Sequence, residues 1–506
     1  MKTNFLLIFS LLFAGLLSGG IEPKYNYVTG QAPPPARRHR VAGGESFPPL
    51  PLPVVPMRRT EKKRPPTPPP LVVKLKYGIG RQWIGFGKNA HYLSLIADKA
   101  LNMNYGAVEM DIRKVDYDPA RYPILYMTGL VSFNLKKETK DKLREYLLSG
   151  GTLILDCNSG HYEIKESFLN LLQEILPEFP LRPLSLDHPL YYSFYRIKSV
   201  TYQLAPSDPR IYNPSWQGNY PQPTIKKAPP LIYGVDIGSR TAVFLSTYDL
   251  GSGWTGRTFP YGNRYSVNDA RKIGTNIVAY ALQFYPVGRY LSWEKTYTLP
   301  SSSAKEFSIA QVIHSGYWDS SLNRLSRLLL QFRENTTSLP DLEPAVVSLA
   351  SKEIFQYPLL YFTGHDKFIL SREEINNLRE YVKRGGLLFV ENRSGRSTFD
   401  ESFRKNFSAV FPQGEITDIP PSHVIYQIYY TLKEVNYSPW VKEFPSHKGK
   451  PVLKSLKVKG KEIGIYSPYD LAWAWAEGVY PPYTRGVVGE SSYKLASNIL
   501  VYLLTQ

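Results

Sequence analysis

YPLLYFTGH, at 357–365, occurs a second time in the same chain as YPILYMTGL, at 122–130. The two phrases lie 235 residues apart, and the neighbouring text repeats at that same offset. KLREYLLSGGTLILD (142–156) lies over NLREYVKRGGLLFVE (377–391), Glu166-Ser167-Phe168 over Glu401-Ser402-Phe403, and His188 over His423. Further on, LSTYDLGSGW (245–254) matches YSPYDLAWAW (466–475) at an offset of 221 residues, and Asn276-Ile277 corresponds to Asn498-Ile499. The shorter offset assigns about 14 extra residues to the first copy, in the Pro- and Trp-rich stretch 205–229. Collinear matches of this kind mean a duplicated domain.

Each copy alternates strand and helix signals. LVVKLKY (71–77) and FSIAQVI (307–313) read as first strands, followed by helical segments near 90–104 and 320–333. PILYMT and PLLYFT are continuous apolar runs, the pattern of central strands buried on both faces. Ile375, Leu378, Tyr381 and Val382 fall at helical spacing, with Ser371 and Glu374 forming a capping box at the start. The Gly pairs 150–151 and 385–386 end that helix and open the next strand. This order predicts an α/β fold: two tandem, mainly parallel three-layer α/β/α domains, the first over 71–290 and the second over 305–506.

Before the first domain the chain reads differently. Lys2, the apolar run Phe5–Leu17 and Ser18-Gly19-Gly20 describe a signal peptide over 1–20, with a mature start near Ile21. An uncleaved anchor is the alternative, although the run is shorter than the roughly 20 residues of a comfortable span. Residues 48–70 hold ten prolines in 23 positions, so 21–70 reads as a basic, extended linker. The net charge is +18, of which residues 21–75 supply +7 and residues 76–506 supply +10. A mildly basic body suits an envelope protein or an anionic glycan as partner; export argues against nucleic acid, and no later segment reads as a membrane span. Cys157 is the only cysteine, which excludes an internal disulfide.

The ordered set F-x-YPxLYxTGH, LRxYxxxGGxL, H-x-x-Y and YDL…W resembles the bacterial domain of unknown function family numbered 4159. The resemblance covers 76–506 as two copies and implies a fold similar to class I glutamine amidotransferases and flavodoxins. The family usually shows two acids after the GGxL strand. Here each copy keeps one, in Asp156-Cys157-Asn158 and in Glu391-Asn392-Arg393.

Ligands of open parallel sheets sit beyond the carboxyl ends of the strands, where the recurrent polar residues are expected. In copy two His365, His423, Glu391 and Asp470 are the candidate catalytic groups, with Thr363, Gly364, Asn392 and Tyr469 as ligand contacts. In copy one the set is Thr128, Gly129, Asp156, Asn158, His188, Tyr248 and Asp249. A carboxylate beside an imidazole can do acid–base work; equally, such groups satisfy buried backbone amides. Amidotransferase chemistry needs a cysteine at the elbow after the YxTG strand, and neither copy has one. GIGRQWIGFG (78–87) lacks phosphate-loop spacing, and no metal or cofactor motif is read. The Trp- and Tyr-bearing loops SWQGNY, GWTGRTFPYGNRY and WAWAEGVYPPYTRG are candidates for stacking on sugars.

Overall fold

The computed structural model describes residues 68–506 apart from 79, 81, 86, 207–221, 258–261, 295–304, 320–322, 442–448 and 476–478. The expected signal peptide and most of the proline-rich linker lie outside the described residues, as does much of the stretch assigned to the 14 extra residues. The described body falls within one compact unit, Pro66–Gln506.

In copy one the strands are β1 (Pro70–Lys76), β2 (Gly106–Asp111), β3 (Ile124–Gly129), β4 (Thr152–Cys157) and β5 (Leu181–Pro183). They are followed by β6 (Val200–Leu204), β7 (Thr224–Ala228), β8 (Tyr233–Ile237), β9 (Arg240–Ser246) and β10 (Arg264–Tyr265). Copy two supplies β11 (Ile309–Ile313), β12 (Ala345–Ser348), β13 (Leu359–Gly364), β14 (Leu387–Asn392), β15 (Gly414–Asp418), β16 (Lys454–Val458) and β17 (Lys461–Ser467).

The two large sheets share one topology. Copy one runs β2-β1-β3-β4-β9-β8-β5 and copy two runs β12-β11-β13-β14-β17-β16-β15. The first five strands of each are parallel, and the β8–β9 and β16–β17 hairpins add antiparallel pairs at one edge. Every residue of β3, β4 and β13 is buried, which is why these strands read as unbroken apolar runs rather than alternating ones. Helices cover both faces. In copy one, Lys137–Leu148 and Tyr162–Ile175 lie on one side and Asn89–Leu101 and Val267–Glu294 on the other. In copy two, the pairs are Arg372–Lys383 with Ser397–Val410 and Arg324–Asn335 with Glu490–Leu504. A small sheet, β10-β6-β7, adjoins copy one.

The repeated REYxxxGG phrase has a packing cause. Tyr146 and Tyr381 each turn back to donate to the carbonyl before the neighbouring strand, Tyr122 at 2.8 Å and Tyr357 at 3.0 Å. Their rings occupy the space where a side chain on Gly151 or Gly386 would stand; a Cβ there would lie 2.2 Å from the ring. The Ser371 capping box forms as expected, with Ser371 Oγ accepting from Glu374 N and Glu374 Oε2 accepting from Ser371 N.

Two variants test this account. Gly386→Ala is expected to lower stability by about 1–3 kcal/mol through overpacking against Tyr381. Ser371→Ala is expected to cost about 1 kcal/mol through loss of the cap. Urea unfolding midpoints measure both, and a neutral Gly386→Ala variant would reject the ring-over-glycine account.

Candidate functional site

Parallel strands end together, so the loops leaving β3, β4 and β9 meet at one end of each sheet. The carboxylate at the penultimate position of β4 or β14 organises that end. Asp156 accepts from Leu250 N and Gly251 N, both at 2.9 Å, and from Tyr126 Oη at 2.8 Å. Glu391 accepts from Leu471 N at 2.7 Å and Ala472 N at 2.8 Å, and from the Tyr361 hydroxyl. The second acid of each copy, from the YDL phrase, binds across the turn after the same strand. Asp249 accepts from Ser252 N (2.8 Å) and Ser159 N (2.7 Å); Asp470 accepts from Trp473 N (3.0 Å) and Ser394 N (2.7 Å). Ser159 and Ser394 take the left-handed backbone conformation, with φ of 55° and 60°, and in each copy that serine's N–H is a donor to the acid.

These four carboxylates are fully buried, and their local charge balance differs between copies. In copy two Arg393 lies between the acids, 3.3 Å from Glu391 and 3.8 Å from Asp470. Burial and the neighbouring Glu391 push Asp470 up to about 7, opposed by Arg393. In copy one Asn158 stands where copy two has Arg393, and burial together with Asp249 pushes Asp156 up to about 8.

The switch-point crevice between the first and third strands is filled in both copies by the chain itself. Tyr77 Oη donates to Thr128 O at 2.8 Å in copy one. In copy two His314 Nε2 binds Thr363 O at 2.7 Å, while its Nδ1 accepts from Gly316 N at 3.0 Å. Gly129 and Gly364 are required by this filling, because a Cβ would lie 2.4 Å from Tyr77 Oη or 2.5 Å from Gly316 O. His314 and Tyr77 escaped the sequence reading, although each follows the first strand of its copy.

The candidate residues do not converge into one cleft. Thr363, Gly364, Glu391, Asn392 and Asp470 do gather at the carboxyl end of the copy-two sheet, as do Thr128, Gly129, Asp156, Asn158 and Asp249 in copy one. Asn392 is engaged by the turn after β14, donating to Arg396 O and accepting from Arg396 N. Tyr469 and Tyr248 sit half-buried beside Tyr437 and Tyr202. His423 and His188 lie elsewhere. Each starts a short 3-10 turn and accepts from the backbone two residues on, and their rings pack against Tyr502 and Tyr280 of the long C-terminal helix of their copy. Their recurrence reflects a shared turn, not a shared cleft.

His365 has a different role again, because the copies stack on one another. The carboxyl end of copy two packs against the β5–β8 edge and the β8–β9 hairpin of copy one. His365 Nε2 donates to Asp236 Oδ2 at 2.9 Å, and the ring stacks on Tyr317 at 4.7 Å. Asp236 also accepts from the Thr241 hydroxyl, which therefore accepts from His188 Nε2 at 2.9 Å. Burial opposes the Asp236 charge, but the His365 hydrogen bond and the buried Arg396 guanidinium hold its carboxyl well below the usual range. Burial and Arg396 lower His365 against the opposing pull of Asp236, and burial holds His188 down to about 3. Asp187 accepts from Ser397 Oγ (2.9 Å) and Thr398 N (2.8 Å), and Trp473 Nε1 donates to Ser239 Oγ at 3.2 Å. Trp473 and Tyr483 of copy two enter the apolar core of copy one.

The family model for the domain of unknown function DUF4159 matches residues 72–282 and 308–504. The chain is a DUF4159 protein. No curated protein matches it. Among the described residues of these two DUF4159 domains, no three His, Cys, Asp or Glu side chains are grouped to hold a metal ion, and no helix is long and apolar enough to cross a membrane. Cys157 is buried at the end of β4, where burial pushes its thiol up and away from reactivity.

Two expectations follow for the carboxylates. Asp249→Ala and Asp470→Ala each leave two backbone amides without their acceptor, so each is expected to lower stability by about 1–3 kcal/mol in denaturant titrations. The pH dependence has a definite sign. Asp156, with its folded pKa at about 8, keeps a proton that the unfolded chain has released, so stability falls as pH rises from the ordinary carboxylate range to 8. His188 and His314, both held at about 3, act in the opposite sense, but only below the ordinary histidine value of about 6.5. Melting temperature is therefore expected to decline between about pH 6.5 and 8, and Asp156→Asn to reduce that decline, leaving the part due to Asp470.

Proposed function

We propose that this DUF4159 protein is an exported cell-envelope protein that serves as a binding or scaffolding module rather than as an enzyme. One observation carries the non-catalytic part. The recurrent polar groups at the sheet ends are engaged inside the protein: Asp156, Glu391, Asp249 and Asp470 by backbone amides, and His365 by Asp236 of the other copy. Acid–base catalysis needs such groups facing a substrate. The elbow positions after the YxTG strands carry Leu130 and His365, so an amidotransferase nucleophile has no seat there.

The signal-like leader supports export, and the proline-rich linker suits a spacer that holds the body away from a membrane or wall. The excess of basic residues suits an envelope protein with an acidic surface or an anionic glycan.

A second reading, a hydrolase acting on glycan or peptide through the carboxyl end of copy two, has one observation in its favour. His365 is oriented by a carboxylate through Nε2 while its Nδ1 makes no hydrogen bond, the arrangement of a base awaiting a proton.

His365→Ala and His365→Gln separate the two readings. As a junction residue, His365 is expected to cost about 2 kcal/mol on truncation, because a buried carboxylate loses a donor. The unfolding transition should broaden as the copies uncouple, with capture of envelope partners or acidic glycans retained. Hydrolysis of peptidoglycan or peptide substrates by the parent protein, abolished in both variants, would establish the enzymatic reading instead. N-terminal sequencing of protein from the native envelope is expected to begin near Ile21, and recovery of Met1 would reveal a retained anchor.

A further inference from the structure

Lysine is rarely buried without a counter-charge, yet Lys74 is fully buried in the middle of β1, among Leu71, Val72, Val73 and Leu75. Its register neighbour on β3 is Tyr126, whose hydroxyl donates to Asp156 at 2.8 Å, so Lys74 lies on the face of the sheet that carries the copy-one acid. Its ammonium donates to Ile84 O at 2.6 Å, in the loop after the strand. Copy two has Gln311 in that register, opposite Tyr361, and its amide donates to Trp318 O at 2.8 Å in the corresponding loop. A neutral amide makes the loop bond equally well, so the charge on Lys74 has another use.

Arg264 raises the same question beside the second acid. It is paired with Asp249 in a short bridge and is 6% exposed. Its Nε donates to Gln203 Oε1 at 2.6 Å, while its buried Nη1 makes no hydrogen bond among the described residues. The matching bridge of Asp470 has Gly486 in that place. Copy one thus carries Lys74, Arg264 and Asn158 where copy two carries Gln311, Gly486 and Arg393. The cations have changed position, and each acid pair has kept at least one.

We infer that Lys74 and Arg264 are the counter-ions of the copy-one acid pair, taking from two sides the part that Arg393 plays alone from between the acids of copy two. Around Lys74 stand Asp156, Glu109 of β2 and Lys76 of β1. Burial lowers its ammonium to about 8, Glu109 and Asp156 oppose that, and Lys76 adds to it. Around Asp156 stand Asp249 and Tyr126, with the Cys157 thiol next in the chain. Burial raises Asp249, opposed by its Ser252 and Ser159 hydrogen bonds and by Arg264. Opposite charges sharing a buried site favour each other's charged form. The assignment goes beyond the scaffolding reading and is independent of what the protein binds.

Carboxyl NMR of the full chain, labelled at aspartate, follows each acid through a pH titration. The Asp156 signal is identified by its loss in Asp156→Glu, which places there the acid that copy two carries. Lys74→Gln keeps a donor for the Ile84 carbonyl and removes the charge, so the Asp156 midpoint is expected to move to higher pH by about one pH unit. Adding Asn158→Arg should bring it back, and Lys74→Arg, which keeps the charge, should leave it near the parent value. Arg264→Gln should move the Asp249 signal, identified in Asp249→Glu, in the same sense. Circular dichroism melting checks that each variant folds. A merely structural Lys74 would lower the melting temperature and leave the midpoint in place, which overturns the assignment. So do a midpoint moved equally by Lys74→Gln and Lys74→Arg, a folded double variant in which Asn158→Arg restores nothing, or an Asp249 midpoint indifferent to Arg264→Gln.

Discussion

Asp156 and Glu391 hold the carboxyl ends of their sheets together. Each sits one residue from the end of a central strand and is reached by two amides from the turn after a neighbouring strand and by a tyrosine hydroxyl from the strand on its other side. A buried carboxylate left alone would be far too costly to retain. Surrounded by donors, it fixes the relative height of three strands and the course of the loops that leave them. The YDL acid depends on it, since Asp249 and Asp470 bind the turn that follows the first carboxylate's strand. Placing two acids so close creates a repulsion that adds to burial in both copies; in copy two Arg393 lies between the acids and opposes it, and in copy one Asn158 stands in that place.

Once these ends are closed by the chain, the duplicated domain puts one of them to structural use. Copy two presents its carboxyl end to copy one, and the residues that looked most like an active site, His365 above all, become the contacts of that junction. Asp236 takes part in the same logic. It carries charge in the interior because three donors or cations, His365, Thr241 and Arg396, converge on it. The histidine present in one copy and absent from the other thus marks the sheet end that meets the neighbouring copy.

Tandem duplication alone would leave both copies interchangeable. Divergence at a handful of junction positions fixes their order, because an aspartate-bearing edge needs the histidine- and hydroxyl-bearing end.

The repeat, the order of strands and helices, the buried central strands and the helix caps were legible in the sequence, since each depends on residues close in the chain or on periodicity. PLLYFT declares a strand buried on both faces, and Ser371 with Glu374 declares a helix start, wherever they are placed in space. The site was legible only as a collection of recurrent residues. Identical spacing put His188 and His423 in the same list as Asp249 and Asp470, although the former cap turns beside a helix and the latter bind strand-end loops. Asp236, Arg396 and Tyr317 gave no signal at all: Asp236 meets His365, Arg396 acts on Asp236, and Tyr317 Oη donates to Pro180 O, each more than a hundred positions away across a junction between domains. Sequence determined each domain because its interactions are local or patterned; only tertiary structure decided that the second domain's sheet end is closed by the first, because that contact joins unlike surfaces and leaves no periodic trace.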